Sequence, residues 1–297
     1  MAEVRLVQAG ERAAFHGRPA DGIAPLQQFL ANGWAPDLER LRAQWLLGVC
    51  FGAAGQFGSA AAALRPLLEL PANPTADQRH YAGQGACALA SIHRQVGRFA
   101  DAHAFDSWAG QVAPADGEIQ FNAVLGRAAD AVGAYDRQQA LTLLTEARGL
   151  CSDAPDWWRE RVRLGWVQCE VALLWGRPDD AVAALNRSVA ESERVGAPRH
   201  VAKSLSFLGV AQQAAGDPNA LMTLGRGALL AESLGAWPLV WATRGLLATW
   251  LVASDPEQAE HSRRSAGHAV RLMAADLPPE LAGTWLQRPD VAPLLNT

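Results

Sequence analysis

Residues 38–68, LERLRAQWLLGVCFGAAGQFGSAAAALRPLL, decide the fold. Leu38, Leu41, Trp45, Leu46 and Cys50 recur at the helical interval, and after Gly55 the interval resumes with Phe57, Ala60, Leu64, Leu67 and Leu68. Glycine ends a helix at low steric cost, so the stretch reads as two antiparallel helices joined by a tight turn. The β-branched runs and two-residue alternation of strands are absent, and alanine and leucine dominate. One such hairpin cannot bury its apolar faces alone, so copies of it are expected elsewhere in the chain.

Two rulers find them. Pro36, Pro74, Pro114, Pro155, Pro198, Pro238 and Pro278 follow one another at steps of 38, 40, 41, 43, 40 and 40 residues. Between them fall the turn marks Gly17, Gly55, Gly97, Tyr135, Gly176, Gly216 and Ser254, and four of these open Gly-Arg-Pro, Gly-Asp-Pro or Ser-Asp-Pro. A glycine stop followed by a proline start is the signature of one helix ending and the next beginning. The chain therefore reads as all-α, with about seven helical hairpins of period about 40 residues stacked into a right-handed α-solenoid. In each unit helix A runs from the inter-unit proline and helix B from the turn mark. The whole of residues 1–297 is expected to form this single solenoid, with an irregular N-terminal hairpin at 1–35 and a C-terminal cap at 279–297.

The order Leu47-Gly48, Phe51, Gly55, Phe57, Ala60 and Leu64 resembles the tetratricopeptide repeat (TPR). Parts of it return in Leu208-Gly209 with Gly216, in Leu89, Gly97, Phe99 and Ala102, in Ala140, Leu144 and Ala147, and in Gly176, Ala181 and Leu185. That family's usual period is about 34 residues. The longer period here is similar to the sensor regions of bacterial signal-transduction ATPases and of peptide-sensing regulators. The resemblance implies a scaffold that binds, with helix A lining the concave face.

Register then selects the concave residues. Thirteen positions before each turn mark stand Arg42, Gln84, Asn122, Arg163, Lys203 and Trp241; ten before stand Trp45, Cys87, Leu125, Trp166, Ser206 and Arg244. Six before stand Val49, Ser91, Ala129, Glu170, Val210 and Ala248, and Arg94 joins from three before Gly97. The candidate groove is Arg42, Trp45, Gln84, Arg94, Asn122, Arg163, Trp166, Glu170, Lys203, Trp241 and Arg244. Arginine takes carboxylates in pairs and tryptophan supplies apolar anchors, which suits an acidic or C-terminal peptide segment. Family members that grip chaperone tails use lysine, arginine and asparagine on this face, and Arg163, Lys203 and Asn122 are similar in kind. Trp108, Trp157, Trp158, Trp175, Trp250 and Trp285 read as inter-helix packing instead.

Chemistry-bearing motifs are missing. The 297 residues carry a formal charge of −4, with 49% hydrophobic and 19% charged, an ordinary globular composition. Net acidity argues against nucleic acid, although Arg42, Arg94, Arg163, Lys203 and Arg244 form a basic stripe. Four scattered cysteines and seven histidines give neither a zinc spacing nor a disulfide framework, so no metal and no cofactor are expected. Gly83-Gln84-Gly85 lacks the third glycine of a dinucleotide loop, and Asp179-Asp180 complements a helix start. The apolar stretch 236–253 carries Arg244 and Pro238 and reads as a buried helix, covered by the C-terminal cap or by a second copy of the chain as a homodimer. The N-terminus lacks the apolar core of a secretory signal, so a cytoplasmic location without membrane is expected. The reading is a non-enzymatic scaffold that binds a partner peptide, with a regulator sensing a small ligand or signalling peptide as the alternative.

Overall fold

The computed structural model describes residues 2–32 and 37–295. Pro36, the first mark of the proline ruler, lies outside the described residues. The first unit is α1 (Ala2–His16), a 3-10 turn at Pro19–Gly22 and α2 (Ile23–Ala31). Six hairpins follow: α3 (Asp37–Ala53) with α4 (Phe57–Leu64), α5 (Ala76–Gln95) with α6 (Phe99–Val112), and α7 (Gly117–Gly133) with α8 (Arg137–Leu150). Then come α9 (Trp158–Leu174) with α10 (Pro178–Arg194), α11 (Pro198–Ala215) with α12 (Ala220–Leu234), and α13 (Trp237–Leu251) with α14 (Pro256–Asp276). A cap of α15 (Pro279–Leu286) and a 3-10 turn at Ala292–Leu295 ends the fold, and no strand occurs among the described residues.

Five of the seven turn marks share one backbone shape, and Gly17 and Ser254 do not take it. Gly55, Gly97, Gly176 and Gly216 take φ of 83°, 84°, 70° and 73°, and Tyr135, at the mark that lacks glycine, is left-handed as well at 59°. Helix starts are equally local. Pro178, Pro198 and Pro256 each open a helix, and the side chains of Thr75, Asp116, Asp136 and Asp255 accept hydrogen bonds from amides of the first turn. Within a hairpin the two helices approach closely because a small residue stands at the crossing. A Cβ on Gly48 would lie 2.4 Å from the Leu64 side chain.

Each A helix (α3, α5, α7, α9, α11, α13) packs on its own B helix and on the A helices of neighbouring units, which gives an inner and an outer layer. The inner layer closes on itself. Gly55 at the end of α3 meets Trp237, Pro238 and Met273, so the sixth A helix returns to the first. Asp276 at the end of α14 caps α4, accepting from the Ser59 amide at 2.9 Å and the Ser59 hydroxyl at 2.7 Å. Arg288 donates to the Gln95 carbonyl at 3.0 Å, where the C-terminal dipole of α5 favours a cation. At the other end of the seam α1 packs on α11, and His16 Nδ1 donates to the Gly196 carbonyl at 3.1 Å. One apolar core therefore joins Phe57, Leu64, Leu89 and Ile92 to Val270, Met273, Trp285 and Leu294. The cap covers the apolar α13, with Trp285 edge-on to Trp241 at 5.9 Å, so this cover comes from within the chain. Among the described residues no helix is long and apolar enough to cross a membrane.

Candidate functional site

The closed inner layer encloses space at two levels. At the α1 side lies a mouth of about 590 Å³, lined by the early turns of α3, α5, α7 and α9 together with Glu11, Phe15 and His16 of α1. Further along the same helices is a chamber in two parts, of about 300 and about 160 Å³, which share Ser91, Gln95, Lys203, Pro238 and Leu239.

The mouth is aromatic and most of its charges are paired. Arg159 donates to Glu118 and Glu160, both at 2.8 Å, while its guanidinium lies over the Trp45 and Phe15 rings at 5.3 and 5.5 Å. Arg42 holds both oxygens of Glu11 at 2.7 and 2.8 Å, Gln84 donates to Glu118 at 2.6 Å, and His80 meets Asp116 at 2.7 Å. Trp157 and Trp158, expected as packing residues, line this mouth. Burial pushes the Tyr81 phenol up to about 12.

The chamber differs. Arg94 is held by Asp106 at 2.6 Å and Asp130 at 2.7 Å, and burial lifts the Asp106 carboxyl to about 7 against the pull of Arg94. Arg163 donates to the Asn122 side-chain oxygen, and among the described residues no carboxylate pairs with it. Trp166 donates to Ser204 at 2.8 Å, stacks on His200 at 5.6 Å, and carries Lys203 Nζ over its ring at 4.3 Å. Burial pushes Lys203 down to about 8, Glu170 opposing and Arg199 and Arg163 assisting. Burial likewise pulls Arg199 down to about 10 and holds His200 well below the usual histidine range. Glu170, buried opposite Lys203, is raised.

Of the sequence-derived groove, Arg42, Trp45 and Gln84 stand in the mouth, and Arg94, Arg163, Trp166, Glu170, Lys203 and Trp241 line the chamber. Asn122 is buried behind Arg163. Arg244 is the correction: it is 4% exposed and turned away from the lumen, gripping Glu232 of α12 at 2.6 and 2.8 Å. The ten-back position lies on the flank of helix A, where Cys87 and Ser206 are buried too; only Trp45, Leu125 and Trp166 of that row reach the lumen. Sequence reasoning missed Glu118, Arg159 and Arg199. All three occupy the row seventeen before the turn mark, one helical turn ahead of Asn122, Arg163 and Lys203. That row was there to be read.

No protein-family model matches the sequence, and no curated protein matches it. Solved structures do match. The Rap conjugation gene regulator of plasmid pLS20, in complex with the Phr* peptide, superposes with a TM-score of 0.69 at 14% identity, covering 91% of this chain and 74% of that one. The chain has the TPR-like helical-repeat fold of the Rap proteins. A Rap protein complexed with competence and sporulation factor gives a TM-score of 0.58 at 12% identity over 98% of this chain and 77% of that one. Aspartyl phosphate phosphatase F from Bacillus subtilis gives 0.51 at 10% identity over 98% and 80%.

Proposed function

We propose that the protein is a non-enzymatic regulatory scaffold of the cytoplasm that takes a short peptide into its lumen and relays occupancy through the seam joining the α3–α4 hairpin to the α13–α14 hairpin. One observation carries this reading: the A helices close around a chamber with apolar walls (Leu125, Val167, Phe207, Leu239, Trp241) and a few polar groups, the usual make-up of a ligand site. One structure of the same fold is a complex with the Phr* peptide, and another is a complex with competence and sporulation factor. The thiols support a binding role over covalent chemistry, since burial pushes Cys50 up to about 12 and raises Cys87 and Cys169, away from the reactive thiolate. All four cysteines are unpaired, as a reducing compartment requires.

The seam supplies the readout. Ser59 of α4 and Asp276 of α14 meet although they are 217 residues apart in sequence, so a ligand bridging the inner layer slows opening there. The test is retention of members of a random hexapeptide pool by the protein on a desalting column, read by mass spectrometry. The native chain is expected to retain a subset and to show slower amide exchange in α4 and α14, whereas Ala129→Phe, which fills the chamber, retains none while keeping its helix content. Retention of nothing, or of the same set by both proteins, overturns the proposal.

A further inference from the structure

Of the six arginines of the mouth and chamber, Arg12 stands exposed at the rim and three have a carboxylate within 2.9 Å: Arg42 has Glu11, Arg94 has Asp106 and Asp130, and Arg159 has Glu118 and Glu160. Arg163 on α9 and Arg199 and Lys203 on α11 do not. Among the described residues none of the three makes an ion pair, and Glu170 is the one carboxylate on the chamber wall. Partly buried cations without carboxylate partners cost a fold stability, and here three of them line one cavity with room beside them for an anion. Buried polar atoms around them point the same way: Arg199 Nε, Asn122 Nδ2 and His200 Nδ1 lack hydrogen-bond partners. Lys203 stands where the two parts of the chamber meet, with Arg199 on one wall and Arg163 on the other.

We infer that Arg163, Arg199 and Lys203 form an anion site that holds the C-terminal carboxylate of the bound peptide. The inference rests on the peptide reading above and specifies the end of the peptide that enters first. The surrounding wall selects the kind of anion. Leu125, Val167, Phe207, Leu239 and Trp241 favour a carboxylate attached to an apolar side chain over a free inorganic ion, which would leave those faces without contacts. Guanidinium and ammonium groups partly withdrawn from water bind a carboxylate more strongly than exposed ones do, because part of the desolvation cost has been met on folding.

The test uses one hexapeptide pool made twice, with free C-terminal carboxyls and with C-terminal amides, against the native chain, Arg163→Gln and Arg199→Gln, each checked for native helix content. Amidation is expected to weaken binding to the native chain by about tenfold or more and to the variants by about twofold or less, the loss of a charge-assisted contact. Equal binding of acid and amide to the native chain overturns the site. A second arm is independent of peptides: Lys203 is the only lysine in the sequence, so its acetylation at pH 8 reports whether the cations are covered. Protection by hexanoate but not by inorganic phosphate supports a carboxylate site even if neither pool binds, an outcome that overturns the peptide reading alone. Protection by phosphate as strong as by hexanoate, or by neither, overturns the carboxylate assignment.

Discussion

Mouth and chamber share the inner helices α3, α5, α7 and α9 and treat charge in opposite ways. In the mouth Arg42 and Arg159 are matched by Glu11, Glu118 and Glu160, and aromatic faces of Phe15 and Trp45 complete their surroundings. In the chamber Arg94 is matched, but Arg163, Arg199 and Lys203 are not. Matched cations hold one helix against the next: Arg159 ties α9 to α7, and Arg94 ties α5 to α6 and α7. The unmatched cations make weaker ties, Arg163 to the Asn122 amide of α7 and Lys203 to the Trp166 ring of α9, and leave positive charge without a carboxylate partner. Position on one solenoid face therefore does not make a residue a ligand contact; what decides is whether its charge is already satisfied.

The largest expected effect lies on the matched side. Arg94→Met leaves Asp106 and Asp130 buried without a counter-charge and should cost about 3–5 kcal/mol of folding stability, read by urea unfolding at pH 7. The deficit should shrink as pH falls, because the abandoned carboxyls take up protons in the folded state first. The next effect has the opposite sign. Arg199→Met removes a partly buried cation that has no carboxylate partner among the described residues and should raise the stability of the empty protein by about 1 kcal/mol while weakening ligand binding. A loss of stability there would show that Arg199 holds the structure together. The smallest effect tests exposure within the matched class: the Arg42 and Glu11 side chains are 34% and 38% exposed, so Arg42→Met should change stability by about 1 kcal/mol or less, and less still in high salt.

The hairpins were legible because they are written in local chemistry. Gly55, Gly97, Gly176 and Gly216 mark turns that need left-handed backbone, and the prolines sit where a helix start tolerates them. Even Tyr135, chosen on spacing alone, takes the same turn. Closure of the inner layer was not legible. It depends on Ser59 meeting Asp276 and Gly55 meeting Trp237, contacts between residues that share no local pattern. The lumen fell between these extremes. Register placed Arg163, Trp166 and Lys203 correctly on the inner face, but one further helical turn held Arg159 and Arg199, and no single-helix register could tell that Arg94 meets Asp106 and Asp130 across three helices. Arg244 failed for the same reason, since Glu232 approaches it from α12.

Titration of Lys203 tests the central claim most directly. Reductive methylation with ¹³C-formaldehyde gives the single lysine its own NMR signal, separable from the α-amino group, and its pH dependence can be followed in the folded protein. The account predicts a midpoint near 8 in the empty protein. Between that value and the ordinary 10.5 the unfolded chain keeps a proton the folded one has released, so the stability of the native chain relative to Lys203→Met should rise across the window. A hexapeptide acid that binds should move the midpoint upward, and its amide should not. A midpoint near 10.5 in the empty protein would contradict the account, because Lys203 would then be solvated or already paired and the chamber would hold no charge in waiting.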